Sequence, residues 1–306
     1  AAPAVLRDVL RWQAPPADAR PRRHLPTQIM TRDTSPISRR TALQTVAGAA
    51  LTSVAGCLTD DTSGTPGNGT RSSNGDGPLQ RVAVEGSALV VELTTDVDVD
   101  QVNLIQPNSE LFGQRDVATG AQQVSFEIGT TYEPGEYRVV ALRGEETVAE
   151  DSTEIQPEIQ IQDVGLFRNN PDKQWDEVYG DSETDRKKNG EAFVTVENTG
   201  SGPDAAVELR FSGDVPNPIE NPRGSGIYET EQVIIEPGEA TDLFSSSFPF
   251  GTETEGGMGC SPDGNSGQFT VIVETQVGAN SISNTYEIQY SGSTDMTDCE
   301  VTITEA

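Results

Sequence analysis

The sequence is poor in the side chains that most enzymes use for catalysis. Its single histidine, His24, lies near the N-terminus, ahead of the cleavage site inferred below. Serine–histidine–aspartate and cysteine–histidine catalysis, imidazole zinc sites and blue-copper sites all require histidine. Neither a P-loop nor a GxGxxG pattern after a strand is present. We therefore predict that the mature chain is not an enzyme, has no catalytic residues and needs no resident cofactor.

Lysine is also scarce, with three residues in 306, and the formal net charge is −29. Nucleic-acid binding needs clustered lysine and arginine against the phosphates, so nucleic acid is excluded as a partner. The charge is uneven: residues 1–56 carry eight arginines and three aspartates, net +5, whereas residues 57–306 carry 12 basic and 46 acidic side chains, net −34. Such a break is typical of a processing boundary. The excess of acid in the second part resembles proteins of extreme halophiles, in which carboxylates hold water and hydrated cations.

A twin-arginine pattern, Arg39-Arg40, precedes an uncharged stretch over residues 41–56. This stretch is too short to span a bilayer as a stable helix, which needs about 20 residues. Small residues then lead directly into Cys57. The arrangement resembles a haloarchaeal twin-arginine lipoprotein signal, which implies export, lipidation of Cys57 and anchoring on the extracytoplasmic face of the cell membrane. The alternative, a short buried helix, conflicts with the lack of an amphipathic period.

Two further expectations concern the segments on either side of Cys57. Met30 lies eight residues before Ser38, where an initiator is expected, so we interpret residues 1–29 as preceding the translated protein; the alternative is that they form a long n-region of the signal. Residues 57–78 contain the anchor cysteine and a Gly-, Ser- and Asp-rich stretch that has too few apolar side chains to fold, so it is predicted to be a flexible linker. Asn68 begins an Asn-Gly-Thr sequon and is a candidate for glycosylation.

The sequence from residue 79 onward predicts strands, since short β-branched segments are bounded by Gly, Pro or Asp. Apolar and polar residues alternate along 89–99, and the apolar parity has switched by Val102, which predicts a turn or bulge near 95–101. The run 132–140 resembles the corner before a late strand in immunoglobulin-like sandwiches, where a tyrosine hydroxyl holds the turn. We predict a first β-sandwich over residues 79–155.

A second β-sandwich is predicted over residues 156–306. Segment 193–200 ends in Asn198-Thr199-Gly200, and Pro237-Gly238 precedes a later strand. This pattern resembles the CARDB-type family of adhesion modules, which implies an immunoglobulin-like binding domain. The fold class is therefore expected to be all-β, with two tandem immunoglobulin-like sandwiches after the signal (1–56) and the linker (57–78). The predicted strands of this unit are 158–167, 191–198, 205–212, 231–235, 241–248, 267–276, 281–290 and 301–304.

Cysteine usage predicts one disulfide. Cys260 and Cys299 are the only cysteines besides Cys57. In an exported chain such a pair is expected to be oxidised, and the bridge would join the loop before residue 267 to the C-terminal strand. The alternative, a thiol pair for metal or redox chemistry, lacks the CxxC spacing that it usually shows.

Carboxylates offer the remaining candidates for chemistry. Asp96, Asp98 and Asp100 alternate along an extended segment and are candidate ligands for Ca²⁺, although a solvated acidic face is the alternative. They do not form an EF-hand, because Gln101 stands where that loop requires glycine. A second acidic group between residues 172 and 185 supplies carboxylate pairs of the kind that hydrolyse glycosides. Aromatic residues are candidates for either a ligand patch or the core: Trp175, Tyr179, Phe244, Phe248 and Phe250.

Together these features predict a lipid-anchored cell-surface protein that acts by binding, adhesion or scaffolding. Its expected partners are the membrane, through the lipid on Cys57, and an envelope protein or glycan. Two alternatives stay open at this point. One is a carboxylate-based hydrolase or a cation-dependent carbohydrate binder. The other is an accessory subunit of an envelope transport or secretion complex.

The anchor is tested by a Cys57→Ser substitution in the full chain. Because the thiol accepts the lipid, we expect the variant to leave the membrane fraction while remaining exported. Immunoblots of membrane and medium fractions measure the distribution. A Cys260→Ser variant serves as the control and should stay with the membrane. Retention of the Cys57→Ser protein in the membrane would contradict the lipoprotein prediction.

Overall fold

The computed structural model describes residues 71–72, 77–95, 98–172, 178–179, 188–251 and 258–306. The chain divides into two units, Ala1–Asp61 and Thr62–Ala306, and every described residue belongs to the second. Regular structure in the described ranges consists of antiparallel strands, short 3-10 turns and two helical residues, 178–179, so the all-β prediction is confirmed. No helix in these ranges is long and apolar enough to cross a membrane.

The first sandwich is built from two antiparallel sheets of four strands. Its strands are β1 (Arg71–Ser72), β2 (Leu79–Glu85), β3 (Ala88–Leu93), β4 (Gln101–Ile105), β5 (Leu111–Asp116), β6 (Gln123–Glu127), β7 (Gly135–Arg143) and β8 (Glu146–Ile155). The strand order is β1-β2-β3-β6 in one sheet and β5-β4-β7-β8 in the other.

Strand β1 lies inside the segment that the composition predicts to be a flexible linker. Arg71 pairs with Val82 and Ser72 with Arg81, so β1 adds a short antiparallel strand to the edge of β2. Backbone pairing at a sheet edge uses N–H and C=O groups and requires no apolar side chain. The polar composition of the segment therefore conceals this strand.

The chain crosses from one sheet to the other between β3 and β4. Strand β3 ends at Leu93 and β4 begins at Gln101 in the opposite sheet, which explains the switch in apolar parity at Val102. The Asp100 N–H donates to the Leu142 carbonyl at 2.8 Å, and the Asp100 carbonyl accepts from the Val117 N–H at 2.9 Å. The predicted turn near 95–101 is thus the connection between the two sheets.

The second sandwich has a sheet of three strands facing a sheet of five. The smaller sheet has the order β13-β10-β9 and the larger one β12-β11-β14-β15-β16. The strands are β9 (Ile159–Leu166), β10 (Ala192–Asn198), β11 (Asp204–Gly213), β12 (Val233–Ile235), β13 (Ala240–Phe244), β14 (Asn265–Thr275), β15 (Ser281–Gly292) and β16 (Cys299–Glu305). Short 3-10 turns occur at Phe167–Asn169, Lys188–Gly190 and Val277–Ala279.

The two sandwiches repeat one strand order. Strands β2, β3 and β6 of the first occupy the places of β9, β10 and β13 in the second, and β5-β4-β7-β8 correspond to β12-β11-β14-β15. Each sandwich adds one further strand on the same side: β1 beside β2 in the first, and β16 beside β15 in the second. Two tandem immunoglobulin-like modules are therefore present, and they differ in which sheet is extended.

Each sandwich buries its own core between its two sheets. The cores form because alternate residues of each strand point inward, as period-two sequences require. Phe250, a candidate for a ligand patch, is instead fully buried, with its ring centroid 5.8 Å from that of Phe211 and 5.3 Å from that of Phe269. The central residues of the first core include Leu89, Val91, Val102, Leu104, Phe126, Tyr137 and Val139, and those of the second include Val194, Val196, Leu209, Phe211, Val271, Val273 and Ile288.

The two modules fix the start of equivalent strands by different means. In the first, the fully buried Tyr137 on β7 donates its hydroxyl to the Glu133 carbonyl at 2.9 Å, as expected for a tyrosine corner. In the second, a disulfide joins Cys260, just before β14, to Cys299 at the start of β16, with their Cα atoms 5.8 Å apart. Both devices hold the loop that enters an equivalent strand, β7 in the first module and β14 in the second.

Asn198, at the end of β10, connects three segments of the second module. Its side chain is fully buried, and its Nδ2 donates to the carbonyls of Gly202 at 2.8 Å and Ile235 at 3.0 Å. Its Oδ1 accepts from the N–H groups of Glu158 at 3.1 Å and Gly200 at 3.0 Å. A buried amide satisfied at four points is costly to replace, which gives the Asn-x-Gly motif a structural role.

The modules meet at a buried apolar contact. Val277, in the turn after β14 of the second module, is 2% exposed and belongs to the core of the first, together with Ile155 and Tyr132. Gly278 follows it with a φ of 71°, a left-handed conformation that glycine adopts without strain. The first core is therefore completed by a residue of the second module.

Replacing Val277 by alanine tests this shared core. The loss of two buried methyl groups should lower the free energy of unfolding of the first module by about 2 kcal/mol. Denaturant unfolding followed by hydrogen exchange in strands of the first module gives the measurement. An Ile234→Ala variant removes an exposed side chain of the second module and should change little. Unchanged exchange in the first module of the Val277→Ala protein would show that its core is independent.

Candidate functional site

Several predicted site residues lie outside the described part of the chain. These are Arg39 and Arg40 of the export signal, Cys57 of the lipid anchor, Asn68 of the sequon, Asp96 of the acidic triplet, Trp175 of the aromatic candidates, and the acidic group between residues 172 and 185 except Asp172. The roles predicted for these residues are therefore not tested by the structure and remain predictions. Asp98, Asp100, Cys260 and Cys299 are described, and the disulfide between the two cysteines is present.

A polar cleft opens where the loops of the first sandwich meet. It has a volume of about 370 Å³ and lies between the β3–β4 and β5–β6 connections. A second depression of about 340 Å³ adjoins it and shares the stretch Leu93–Thr95 and Gln122. Threonine hydroxyls, glutamine amides and carboxylates line the walls, with Leu93 and Val99 as apolar lining residues. Such a surface can hydrogen-bond a neutral polar ligand, but it offers no aromatic face for stacking among its described lining residues.

The two described carboxylates of the acidic triplet both bind the β7–β8 turn. The Asp98 Oδ2 lies 3.2 Å from the Arg143 Nε, which also donates to the Asp98 carbonyl at 2.9 Å. The Asp100 Oδ2 accepts from the Gly144 N–H at 2.8 Å. Within the described ranges, no group of three or more potential metal ligands converges. The geometry assigns Asp98 and Asp100 a loop-fixing role and leaves the calcium prediction for the triplet untested.

An aromatic cluster surrounds a buried carboxylate in the second sandwich. The Tyr179 hydroxyl donates to the two carboxylate oxygens of Glu191 at 2.5 and 2.6 Å. The Phe167 ring packs on Phe244, with centroids 4.7 Å apart, and against Tyr179 at 6.3 Å. Burial and the hydrogen bond to Glu191 raise the pKa of Tyr179, so its hydroxyl stays protonated and continues to donate. Tyr179 and Phe244, both candidates for a ligand patch, are thus brought together.

Among the described residues, the most deeply buried acid lies at the junction of the two modules. Asp204 is 1% exposed at the first position of β11, and its Oδ1 accepts from the N–H groups of Ala205 at 2.7 Å and Val277 at 2.8 Å. Burial raises the pKa of Asp204, and these hydrogen bonds offset only part of the rise. The carboxylate therefore holds the turn that places Val277 in the first core.

Tyr132 faces Asp204 from the first module. Its hydroxyl is buried and finds no hydrogen-bond partner among the described residues. Burial, together with the negative charge of Asp204, raises the pKa of Tyr132, so the hydroxyl remains neutral. A Cβ on Gly202 would overlap this hydroxyl, so glycine is required there for the modules to approach.

Direct hydrogen bonds complete the junction around this pair. The Thr130 hydroxyl donates to the Gln276 side-chain oxygen at 2.8 Å. The Ser201 hydroxyl donates to the Glu154 carbonyl at 2.8 Å, and the Ser201 N–H donates to the Gln156 carbonyl at 2.8 Å. Our sequence interpretation did not identify this junction. The only signal for it is an aspartate, Asp204, that follows Gly202-Pro203 and precedes three apolar residues at the start of a strand.

No protein-family model matches the sequence, and no curated protein matches it. Two solved structures of a glycosyl hydrolase family 2 member from Bacteroides cellulosilyticus are similar over 65% of this chain, at 15% identity and TM-scores of 0.18 and 0.19. The chain spans about a quarter of their length, 24% and 23%. The human OSCAR ligand-binding domain is similar over 73% of this chain and 92% of its own, at 9% identity and a TM-score of 0.20. Similarities this low carry no argument, and the fold assignment rests on the strand order described above.

The buried carboxylate predicts a pH dependence. An acid whose pKa is raised by folding stabilises the protein below its unfolded pKa, about 3.9 for aspartate, and that contribution is lost as the pH rises through the folded value. We therefore expect the free energy of unfolding of the wild type, relative to Asp204→Asn, to increase as the pH falls toward about 4. Denaturant titrations across this range measure the difference. A Glu305→Gln variant controls for net charge, and parallel profiles for wild type and Asp204→Asn would contradict the assignment.

Proposed function

We propose that the protein is an exported, lipid-anchored cell-surface module that works by binding rather than by catalysis. In this proposal Cys57 carries the lipid, the segment after it forms a tether, and the two sandwiches present a recognition surface away from the membrane. The twin-arginine pattern, the small residues before Cys57 and the acidic composition after it support this location. The all-β architecture and the disulfide are compatible with an oxidising, extracytoplasmic setting.

The observation that carries the proposal is the buried junction between the modules. Domains in one chain are expected to move relative to each other unless their interface is well packed and apolar. Here Val277 completes the neighbouring core, Asp204 holds the turn that carries it, and Gly202 allows close approach to Tyr132. A joint of this kind fixes the orientation of the second module with respect to the first. A fixed orientation of the two modules suits adhesion or scaffolding, because less conformational entropy is lost when a partner binds to a surface that is already ordered.

A soluble Cys57→Ser protein allows a direct test on envelope fragments prepared from cells that lack the native protein. We expect saturable binding at the native salt concentration, with no sugar or peptide released from the fragments. Sedimentation measures the binding, and mass spectrometry of the supernatant detects any released product. Bovine serum albumin at equal concentration controls for non-specific retention.

Two outcomes would overturn this proposal. One is product release that disappears on a single carboxylate substitution, which would support the hydrolase alternative. The other is retention that never saturates, which would mean that no specific partner is present. Truncation to residues 79–155 is unsuitable for this test, because the first core would then lack Val277.

A further inference from the structure

The internal repeat exposes a difference between the two modules. In the first, β1 pairs with the outer edge of β2. In the second, β9 occupies the place of β2, and no described strand pairs with its outer edge. The three-stranded sheet of the second module is therefore one strand shorter on this side than its counterpart in the first.

A groove of about 440 Å³ lies beside this edge of β9. Its lining includes Ile159 and Ile161 from β9, Ile282 and Asn284 from β15, and Glu305 at the end of β16. Ile159, Ile282 and the β16 residues Val301 and Ile303 are only partly buried, although all four pack against the second core. An added strand with alternating apolar side chains would cover these residues as the strands of the cores cover one another.

The hydrogen-bond register shows which backbone groups of β9 face the groove. The Glu158 carbonyl accepts a hydrogen bond from the Thr199 N–H, so the backbone groups of Glu158 point toward the chain that continues from β10. In an antiparallel pair the direction alternates, so the backbone groups of Ile159 and Ile161 point away from β10. The Ile161 carbonyl accepts from the Asn284 Nδ2 at 3.4 Å, a long hydrogen bond that an incoming N–H would readily replace.

The charges around the groove define the chemistry of its occupant. Glu158, Asp163 and Glu305 are exposed around this edge, whereas no lysine or arginine lines the groove. An acidic strand would be repelled, and a basic one would be attracted.

We propose that the outer edge of β9 binds an extended, basic peptide segment, which adds to the sheet antiparallel to β9 as β1 adds to β2. The inference rests on the proposed binding function and deepens it by naming the chemistry of the partner. Main-chain hydrogen bonds to Ile159 and Ile161 supply affinity, and the partly buried isoleucines select alternating apolar side chains.

The probe is a short labelled peptide in which valines alternate with threonines between terminal lysines. We expect saturable binding to the soluble Cys57→Ser protein by fluorescence anisotropy, with slower hydrogen exchange at the amides of Ile159 and Ile161. Replacing Ile282 by lysine should weaken binding by about tenfold or more, because it places a cation in the groove and removes an apolar contact. Thr285→Lys is the matched control, because Thr285 is exposed on the outer face of the same strand, and it should leave binding unchanged.

A second variant separates recognition from simple loss of structure. Asn284→Ala frees the Ile161 carbonyl, so it should tighten peptide binding a few-fold, an effect that a merely destabilising change would not produce. Three results would overturn the proposal that this groove binds the peptide. They are no peptide binding by the wild type, equal binding by Ile282→Lys, and slower hydrogen exchange only in β16. Envelope binding that survives in Ile282→Lys would also overturn it while leaving the proposed binding function standing. If the protein without the Ile282→Lys substitution also fails to bind envelope fragments, the proposed binding function itself is refuted.

Discussion

The relative placement of the two modules depends on one side chain that belongs to the second and is buried in the first. Val277 reaches the first core because a tight turn follows β14, and that turn is held by the carboxylate of Asp204. A buried carboxylate is costly unless hydrogen bonds compensate it, and here two backbone N–H groups converge on one oxygen. Burial of the Asp204 carboxylate therefore costs solvation free energy, while its hydrogen bonds hold the turn that carries Val277.

The modules also illustrate two physical solutions to one problem. An immunoglobulin-like sandwich must hold the loop that enters its central strand, since the core packs on that strand. Tyr137 does this by a single hydrogen bond to a backbone carbonyl, inside a fully packed core. The second module has no tyrosine at the start of β14 and instead uses a covalent bond between Cys260 and Cys299. The bridge also ties the extra strand β16 to the sandwich, and the described residues of the first module form no equivalent strand.

At two edge strands, aspartate side chains accept hydrogen bonds from backbone N–H groups. Asp151 accepts from the Ser152 N–H at 2.8 Å, and Asp163 accepts from the Val164 N–H at 2.9 Å, so acidic side chains satisfy N–H groups of β8 and β9 that their neighbours do not use. Edge strands protected in this way resist uncontrolled pairing with other chains. The groove beside β9 combines this protection with apolar residues that remain partly uncovered. That combination is what the proposed added strand requires, since it leaves an apolar surface open at an edge that is otherwise protected.

The amino-acid sequence by itself determined most of the strands after residue 79, because period-two alternation and the intervening Gly, Pro and Asp residues are local properties. It determined the fold class for the same reason, and it indicated the disulfide, because only two cysteines remain after Cys57. It also located the tyrosine corner near residues 132–140, although the hydroxyl that holds the turn is that of Tyr137. Only the tertiary structure decided the junction, the groove and the pairing of β1. Val277 and Asp204 are ordinary residues in a strand-and-turn pattern, and their importance comes from contacts with residues more than a hundred positions away or across a module boundary. Likewise Asp98 and Asp100 have the sequence pattern of a cation site, but the fold places the β7–β8 turn against both of them, and no local pattern encodes that approach.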